Sequence, residues 1–367
     1  MKKIISTIFL FTIISAKAQS TDSIQEQPHI IKFSGYIDTY YEYDFNKPDG
    51  RERAFATQAT RHNEFDLNWG FIKAEFNSDR VRANFALQTG TFVQLNYAAE
   101  PDLLKNIYMA NVAYKLRKGV WLEVGIMPSH IGIESTLSID NWNYTRNTNT
   151  EYLPYYQSGA HLNVEFSDKL NAQFAILNGF QNIKETNDAK SFGLLLNYHP
   201  NSRFEICYNN YFGNEAPSDS VFINGKNMLV RNKYRFFNDV YAKFKVTKKW
   251  NIALVGEYNI QERFYDTKMT NWYTFDFLTQ YKFNDKFAIA GRFELFNDAD
   301  QTVVVTNTVN GFQIMGGSVD LAYSPIPNVA FRIEARNFVS KDAVYPKERQ
   351  TVSRTDNFIV SSMAIKF

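Results

Sequence analysis

Charged side chains occupy every second position of stretches that are otherwise apolar. Between 329 and 336, Val329, Phe331, Ile333 and Ala335 alternate with Ala330, Arg332, Glu334 and Arg336. Between 287 and 295, Phe287, Ile289, Gly291, Phe293 and Leu295 share one parity, and Arg292 and Glu294 fall on the other. Glu257 and Asn259 oppose Leu254, Tyr258 and Ile260, while Arg235, Asp239, Tyr241 and Lys243 oppose Phe236, Val240, Ala242 and Phe244. His161, Asn163 and Glu165 form a similar row, as do Arg82, Asn84 and Gln88. A strand sends alternate side chains to opposite faces, so each stretch has an apolar face and a face carrying charge. Rows of charge facing a water-filled space select ions. The same rows facing one another act as struts, with Arg332, Glu334 and Arg336 neutralising Arg292 and Glu294.

Enzymatic chemistry has less to work with. The five histidines are scattered, and His29 and His62 fall outside the alternating stretches. His161 and Glu165 stand four residues apart in a strand, about 13 Å, too far to chelate one metal ion. Ser129 or Ser138 could be paired with His130, but no further residue fixes the pair. Asn297, Asp298 and Asp300 offer oxygen ligands of the kind Ca²⁺ takes, a composition that a solvated loop also has. There is no glycine-rich phosphate loop and no zinc spacing. The expectation is a protein that is not an enzyme and uses no cofactor.

The elements that must position the charged rows follow from the same alternation. The first runs over about 30–45, with Ile31, Phe33, Gly35, Ile37, Thr39, Tyr41, Tyr43 and Phe45 on one face and Lys32, Ser34, Tyr36, Asp38, Tyr40, Glu42 and Asp44 on the other. The second, about 64–77, places Phe65, Leu67, Trp69 and Phe71 on its apolar face and then slips phase to Ile72, Ala74 and Phe76, which predicts a bulge after Phe71. Seven short polar turns follow, near 77–79, 117–119, 167–169, 199–203, 247–249, 284–286 and 325–328. They alternate with eight longer polar segments near 46–63, 90–106, 128–158, 180–190, 213–232, 262–271, 297–310 and 339–355. Seven turns and eight loops join sixteen strands and put both chain ends on the short-turn side. The last strand, Phe358 to Phe367, keeps an apolar face of Ile359, Met363, Ile365 and Phe367.

Charge in mid-strand cannot face lipid, where Arg or Lys costs about 2–4 kcal/mol at the midplane. The predicted fold is therefore all-β: a single transmembrane antiparallel β-barrel of about sixteen strands, with short periplasmic turns, long extracellular loops and no free edge. An interior ringed by sixteen strands is too wide for wall side chains to fill, which predicts an aqueous channel. A large soluble β-protein is the competing architecture. Aromatic residues number 59 (32 Phe, 22 Tyr and 5 Trp) beside 10 Pro, and mean hydropathy is negative. That combination fits a barrel facing lipid on one side and water on the other.

Residues 1–18 read as a secretory signal: Lys2 and Lys3, an apolar run from Ile4 to Ile14, and the small-x-small site Ala16-Lys17-Ala18. No Cys near that site offers lipid attachment. The full chain has 40 basic and 38 acidic residues; removal of Lys2, Lys3 and Lys17 leaves 37 against 38. The small basic excess belongs to the signal, and a nucleic-acid partner gains no support from it. A single cysteine, Cys207, excludes an internal disulfide. The predicted organisation is a signal over 1–18, a polar lead over 19–29 and one barrel over 30–367.

The stretch Leu122-Glu123-Val124-Gly125-Ile126-Met127-Pro128-Ser129-His130-Ile131-Gly132 resembles the Gly-x-x-Pro-x-x-x-Gly passage of outer-membrane porins, where a strand runs into an inward-folded loop. With the opening Phe33-Ser34-Gly35-Tyr36-Ile37-Asp38-Thr39-Tyr40-Tyr41 and the terminal Phe367, the chain resembles the OmpL-like β-barrel porins of the Bacteroidota over about 30–367. The resemblance implies passive diffusion of ions and small hydrophilic solutes across the outer membrane of a Gram-negative bacterium. Analogy with porins of this size implies a homotrimer among outer-membrane lipids. An occluded structural or docking barrel working with an envelope partner is the alternative. The segment 128–158 is expected either to fold inward and narrow the pore or to dock on the outer rim. In the inward case Glu134, Asp140 and Arg146 would bias passage. Arg82, Glu123, His130, Glu165, Arg235, Glu257, Arg292, Glu294, Arg332, Glu334 and Arg336 complete the candidate lining.

Overall fold

The computed structural model describes residues 31–218, 221–223, 226–228, 232–263 and 268–367. The expected signal and polar lead lie outside the described residues. Sixteen antiparallel strands close into one barrel, each bonded to its neighbours in sequence order. They are β1 (Lys32–Asp44), β2 (Glu64–Asn77), β3 (Val81–Thr89), β4 (Ile107–Arg117), β5 (Val120–Pro128), β6 (Tyr156–Ser167), β7 (Leu170–Leu177) and β8 (Ser191–Asn201). The second half is β9 (Phe204–Asn214), β10 (Tyr234–Lys245), β11 (Trp250–Glu262), β12 (Met269–Lys282), β13 (Phe287–Asp298), β14 (Phe312–Tyr323), β15 (Val329–Ser340) and β16 (Thr355–Lys366). No helix of the described residues is long and apolar enough to cross a membrane.

Closure pairs β1 with β16, from Tyr36 opposite Lys366 to Asp44 opposite Phe358. Gly35 and Phe367 exchange backbone hydrogen bonds of 2.7 and 3.0 Å. Closure matters because an unpaired edge in lipid would leave its N–H and C=O groups without partners, at several kcal/mol each. Apolar side chains such as Phe33, Ile72, Phe85, Val124, Phe293 and Ile333 cover the outer surface.

The seven short turns fall where the alternation stops. Together with the strand residue on either side, they carry ten exposed bases: Arg80, Arg117, Lys118, Lys169, Arg203, Lys245, Lys248, Lys249, Lys282 and Lys286. Only Asp79, Asp168 and Asp285 oppose them. The longer loops carry short elements of their own, including helices at Thr91–Asn96, Asp102–Lys105 and Thr148–Glu151.

Strand β2 departs from its expected phase. The pairing jumps from Asp38 opposite Trp69 to Thr39 opposite Leu67, so the bulge lies at Asn68, earlier than the sequence placed it. Trp69 therefore points inward and is 1 % exposed, while Ile72 faces out. Asn68 is the reason. Its amide donates to Asp38 at 2.8 Å and its carbonyl oxygen accepts the Ala59 N–H at 3.2 Å, partners available only on the inner side.

Candidate functional site

The loop between β5 and β6, residues 129–155, crosses the barrel interior. Gly132 begins the inward turn with φ +103°, a conformation that side chains disfavour. A Cβ there would lie 2.8 Å from Leu153. Beyond it the segment 143–150 is almost fully shielded from solvent, so its backbone donors need protein partners. Wall carboxylates supply them. Asp320 accepts the Tyr144 N–H at 3.1 Å, Glu334 the Thr145 N–H at 2.7 Å and Glu294 the Thr148 N–H at 2.7 Å. Asp276 accepts the Asn147 side-chain amide at 2.7 Å, and Asp38 accepts the Tyr144 hydroxyl at 3.2 Å. The Ser138 hydroxyl also donates to Asp38, at 3.1 Å. The inward alternative for this loop is the one the fold adopts.

Thr145 is the hub of this contact. Its hydroxyl donates to Glu334 at 2.9 Å and accepts from Arg292 at 3.0 Å and Arg336 at 2.9 Å. Its carbonyl oxygen accepts from Arg292 at 2.7 Å. Around it, Arg292 lies 3.0 Å from Glu334, 3.4 Å from Glu294 and 3.6 Å from Glu134, and Arg336 lies 2.8 Å from Glu294. These pairs link β13 to β15 across β14, whose inward residues between them are Gly316 and Ser318. A Cβ on Gly316 would stand 2.5 Å from Phe338 and 3.0 Å from Glu294, so the bridge needs glycine there. Such a shielded network holds a geometry more than it adds stability, because desolvation offsets much of its attraction.

The other candidate residues are distributed around the lumen. Arg332 donates to the Asn141 carbonyl oxygen. Asp140 pairs with Lys366 at 2.6 Å near the short-turn end. The Glu134 side chain is shielded and accepts the Asn147 N–H at 2.9 Å; its pKa is raised by burial, partly offset by Arg292. Arg146 does not meet the wall acids; its guanidinium lies over Phe92 and Tyr155 at 4.6 and 4.3 Å and donates to the Thr136 carbonyl at 2.6 Å. Arg82 covers the Trp121 ring at 3.9 Å, and Glu123 accepts from Asn163 at 3.4 Å. Glu165 stays exposed at the end of β6. Glu257 stands opposite Asp239 and accepts from Asn259 at 3.2 Å. Arg235 bonds Gln261 at 2.6 Å and lies over Phe180.

His130 joins loop to wall rather than to a serine: Nδ1 lies 2.8 Å from the Gln157 side chain and Nε2 3.0 Å from the Asn210 carbonyl oxygen. Ser138 is engaged by Tyr36 and Asp38. Asp298 accepts the N–H groups of Thr302, Val303 and Val304, so its oxygens serve the loop. Among the described residues no group of three or more His, Cys, Asp or Glu is placed to hold a metal ion.

The inserted loop divides the interior. Toward the long loops, Phe180, Tyr211, Phe237, Trp272, Phe296, Phe312 and Phe338 pack with Tyr144 and Leu153 of the loop into one apolar cluster. Beside it, a cavity of about 490 Å³ lies between the loop and a wall containing Tyr108, Gln173 and Leu195. A second, of about 570 Å³, forms a vestibule at the short-turn end, lined by Trp142, His199, Arg203, Glu205, Lys243, Lys245 and Lys282 among others. Leu195 from the first and Trp142 from the second pack with Ile133 against Cys207, Tyr241, Ala253, Val255 and Leu278. Wall side chains alone do not fill a sixteen-stranded interior; the inserted loop takes up much of it and leaves these two spaces.

A family described as "Putative beta-barrel porin-2, OmpL-like" matches residues 30–367. No protein in the curated set matches in sequence. Among solved structures the chain is similar to outer-membrane expressed OmpT of Vibrio cholerae (TM-score 0.61, 9 % identity, covering 92 % of this chain and 97 % of that one). It is also similar to an anion-selective porin from Comamonas acidovorans (0.59, 10 % identity, 92 % and 99 %). The trimer form of in-vitro folded OmpT from Vibrio cholerae gives 0.59 at 8 % identity, over 92 % and 99 %. At these identities the likeness is one of fold.

Proposed function

This chain belongs to the OmpL-like β-barrel porin family and is an outer-membrane porin, and we propose that it passes ions and small hydrophilic solutes along one side of its lumen. One observation carries the path: the loop 129–155 is bonded to β1 and to β12 through β15. Its remaining free space lies against the wall of β4 to β8. Solutes move between that cavity and the vestibule as Trp142 and Leu195 part. Since Arg292, Arg336, Glu294 and Glu334 neutralise one another, selectivity falls to the vestibule, where Arg203, Lys243, Lys245 and Lys282 outnumber Glu205. That balance favours anions. The trimeric neighbour supports a homotrimer, and the signal-like start supports export with cleavage after Ala18.

Purified protein in a planar bilayer under a salt gradient tests the reading. Discrete steps with a reversal potential of anion sign are expected. A silent membrane, with the barrel shown folded by heat-modifiable gel mobility, would overturn conduction. It would favour the second reading, an occluded barrel acting with an envelope partner, which the apolar cluster across the outer half of the lumen supports.

A further inference from the structure

The outer wall carries a groove that the porin activity does not use. Directly paired lipid-facing residues form an unbroken row across six strands: Phe287 opposite Tyr323, then Phe331, Met363, Thr39 and Leu67. Thr39 and Ser361 are short, whereas their flanking neighbours are large. The result is a largely apolar cavity of about 920 Å³ open to the membrane. Because strands tilt in a barrel, a row perpendicular to them climbs from the short-turn edge at Phe287 toward mid-membrane at Thr39.

At the lower end of the groove lie two lysines, Lys249 and Lys286. Lys249 Nζ donates to the carbonyl oxygen of the groove residue Phe283 at 3.1 Å, and Lys286, next to the groove residue Phe287, accepts the Ser324 N–H on its carbonyl at 2.8 Å. Both are exposed. Neither lies in an ion pair among the described residues.

We propose that groove and lysines form a binding site for one anionic phospholipid of the periplasmic leaflet. Its phosphate sits between Lys249 and Lys286, and an acyl chain fills the groove over Thr39 and Ser361. Charge complementarity selects this occupant: phosphate satisfies cations that the fold leaves unpaired. A second copy brings a rim of ten bases against three acids, the same sign. The site does not depend on whether the pore conducts.

The test uses the full chain in nanodiscs of phosphatidylcholine containing phosphatidylglycerol, with retained lipid counted by native mass spectrometry. One phosphatidylglycerol held in preference to phosphatidylcholine is expected. K249Q/K286Q should reduce its retention roughly tenfold or more, and S361F, which fills the groove floor, should also reduce it. R117Q/K118Q/K169Q, on distant turns, should leave it unchanged. Equal retention of both lipids overturns the proposal. So does an equal loss in the distant variant, or a barrel–barrel species that S361F abolishes while lipid retention persists. Should S361F fail to fold, the double and triple glutamine variants decide.

Discussion

Glu334 on β15 accepts both the N–H and the hydroxyl of Thr145, at 2.7 and 2.9 Å, across 189 positions of sequence. One carboxylate thereby fixes the backbone and the side chain of the same loop residue. T145V keeps the shape and removes the hydroxyl. Two arginine donors and one carboxylate oxygen then lose a partner, at about 1–3 kcal/mol. The expected outcome is a barrel that still folds, with faster amide exchange over 141–149 and noisier single-channel current.

Gly316 is the second point of leverage. G316V sets a Cβ 2.5 Å from Phe338 and 3.0 Å from Glu294. Overpacking of this kind costs about 1–3 kcal/mol, and displacement of Glu294 parts it from Arg336. The temperature at which the folded gel band disappears should fall, whereas G256V, at a glycine with open space around it, should leave it close to that of the parent.

Acid should loosen the start of the loop. Burial lowers the pKa of His130 below its ordinary value, so folding favours the neutral ring. That stability is present above about 6.5, the unfolded value, and is lost as pH falls through the window below it. A neutral ring meets both partners when Gln157 turns its amide nitrogen, which is buried and otherwise unpartnered, toward Nδ1 while Nε2 donates to Asn210. His161, whose ring lies 6.2 Å away, adds a second imidazole. Amide exchange over 129–137 should quicken between pH 7.5 and 5 in the parent and change less in H130Q.

Selectivity should follow the vestibule. K243Q/K245Q should reduce the anion-signed reversal potential by about half or more at low salt, and by less at 1 M, where the screening length shortens to about 3 Å. Substituting the shielded Arg336 should instead change stability and conductance. A reversal potential that follows Arg336 and ignores the lysines would place the selective element at the loop.

Strand positions, turn count and closure were legible because lipid on one side and water on the other impose a two-residue rhythm. The rhythm failed at Asn68, where side-chain bonds to Asp38 and Ala59 outweighed the apolar phase and turned Trp69 inward. Arg292, Glu294, Glu334 and Arg336 were identifiable as inward charges, and the struts suggested for them are present as ion pairs. Thr145 was not identifiable, since a threonine in a polar loop carries no mark of the partners it will meet. The signal that was available lay on the wall: Asp38, Asp276 and Asp320 share the inward parity, and Gly316 and Ser318 leave room beside them. Arg146 misled because charge in a loop suggests exposure to solute, whereas two aromatic faces enclose it.

The loop's distribution of partners has a bearing on the order of assembly. Its segment 138–149 takes bonds from β1 and from strands that begin between 269 and 355, so no contiguous half of the chain offers it a complete seat. The loop is therefore expected to settle after the cylinder has closed, leaving a short-lived stage in which the wall is finished and the interior is not. Transient leakage during insertion, measured as dye release from vesicles that ceases as the folded band matures, would be the trace of that stage. A release that continues after maturation would show that the loop never completes its docking.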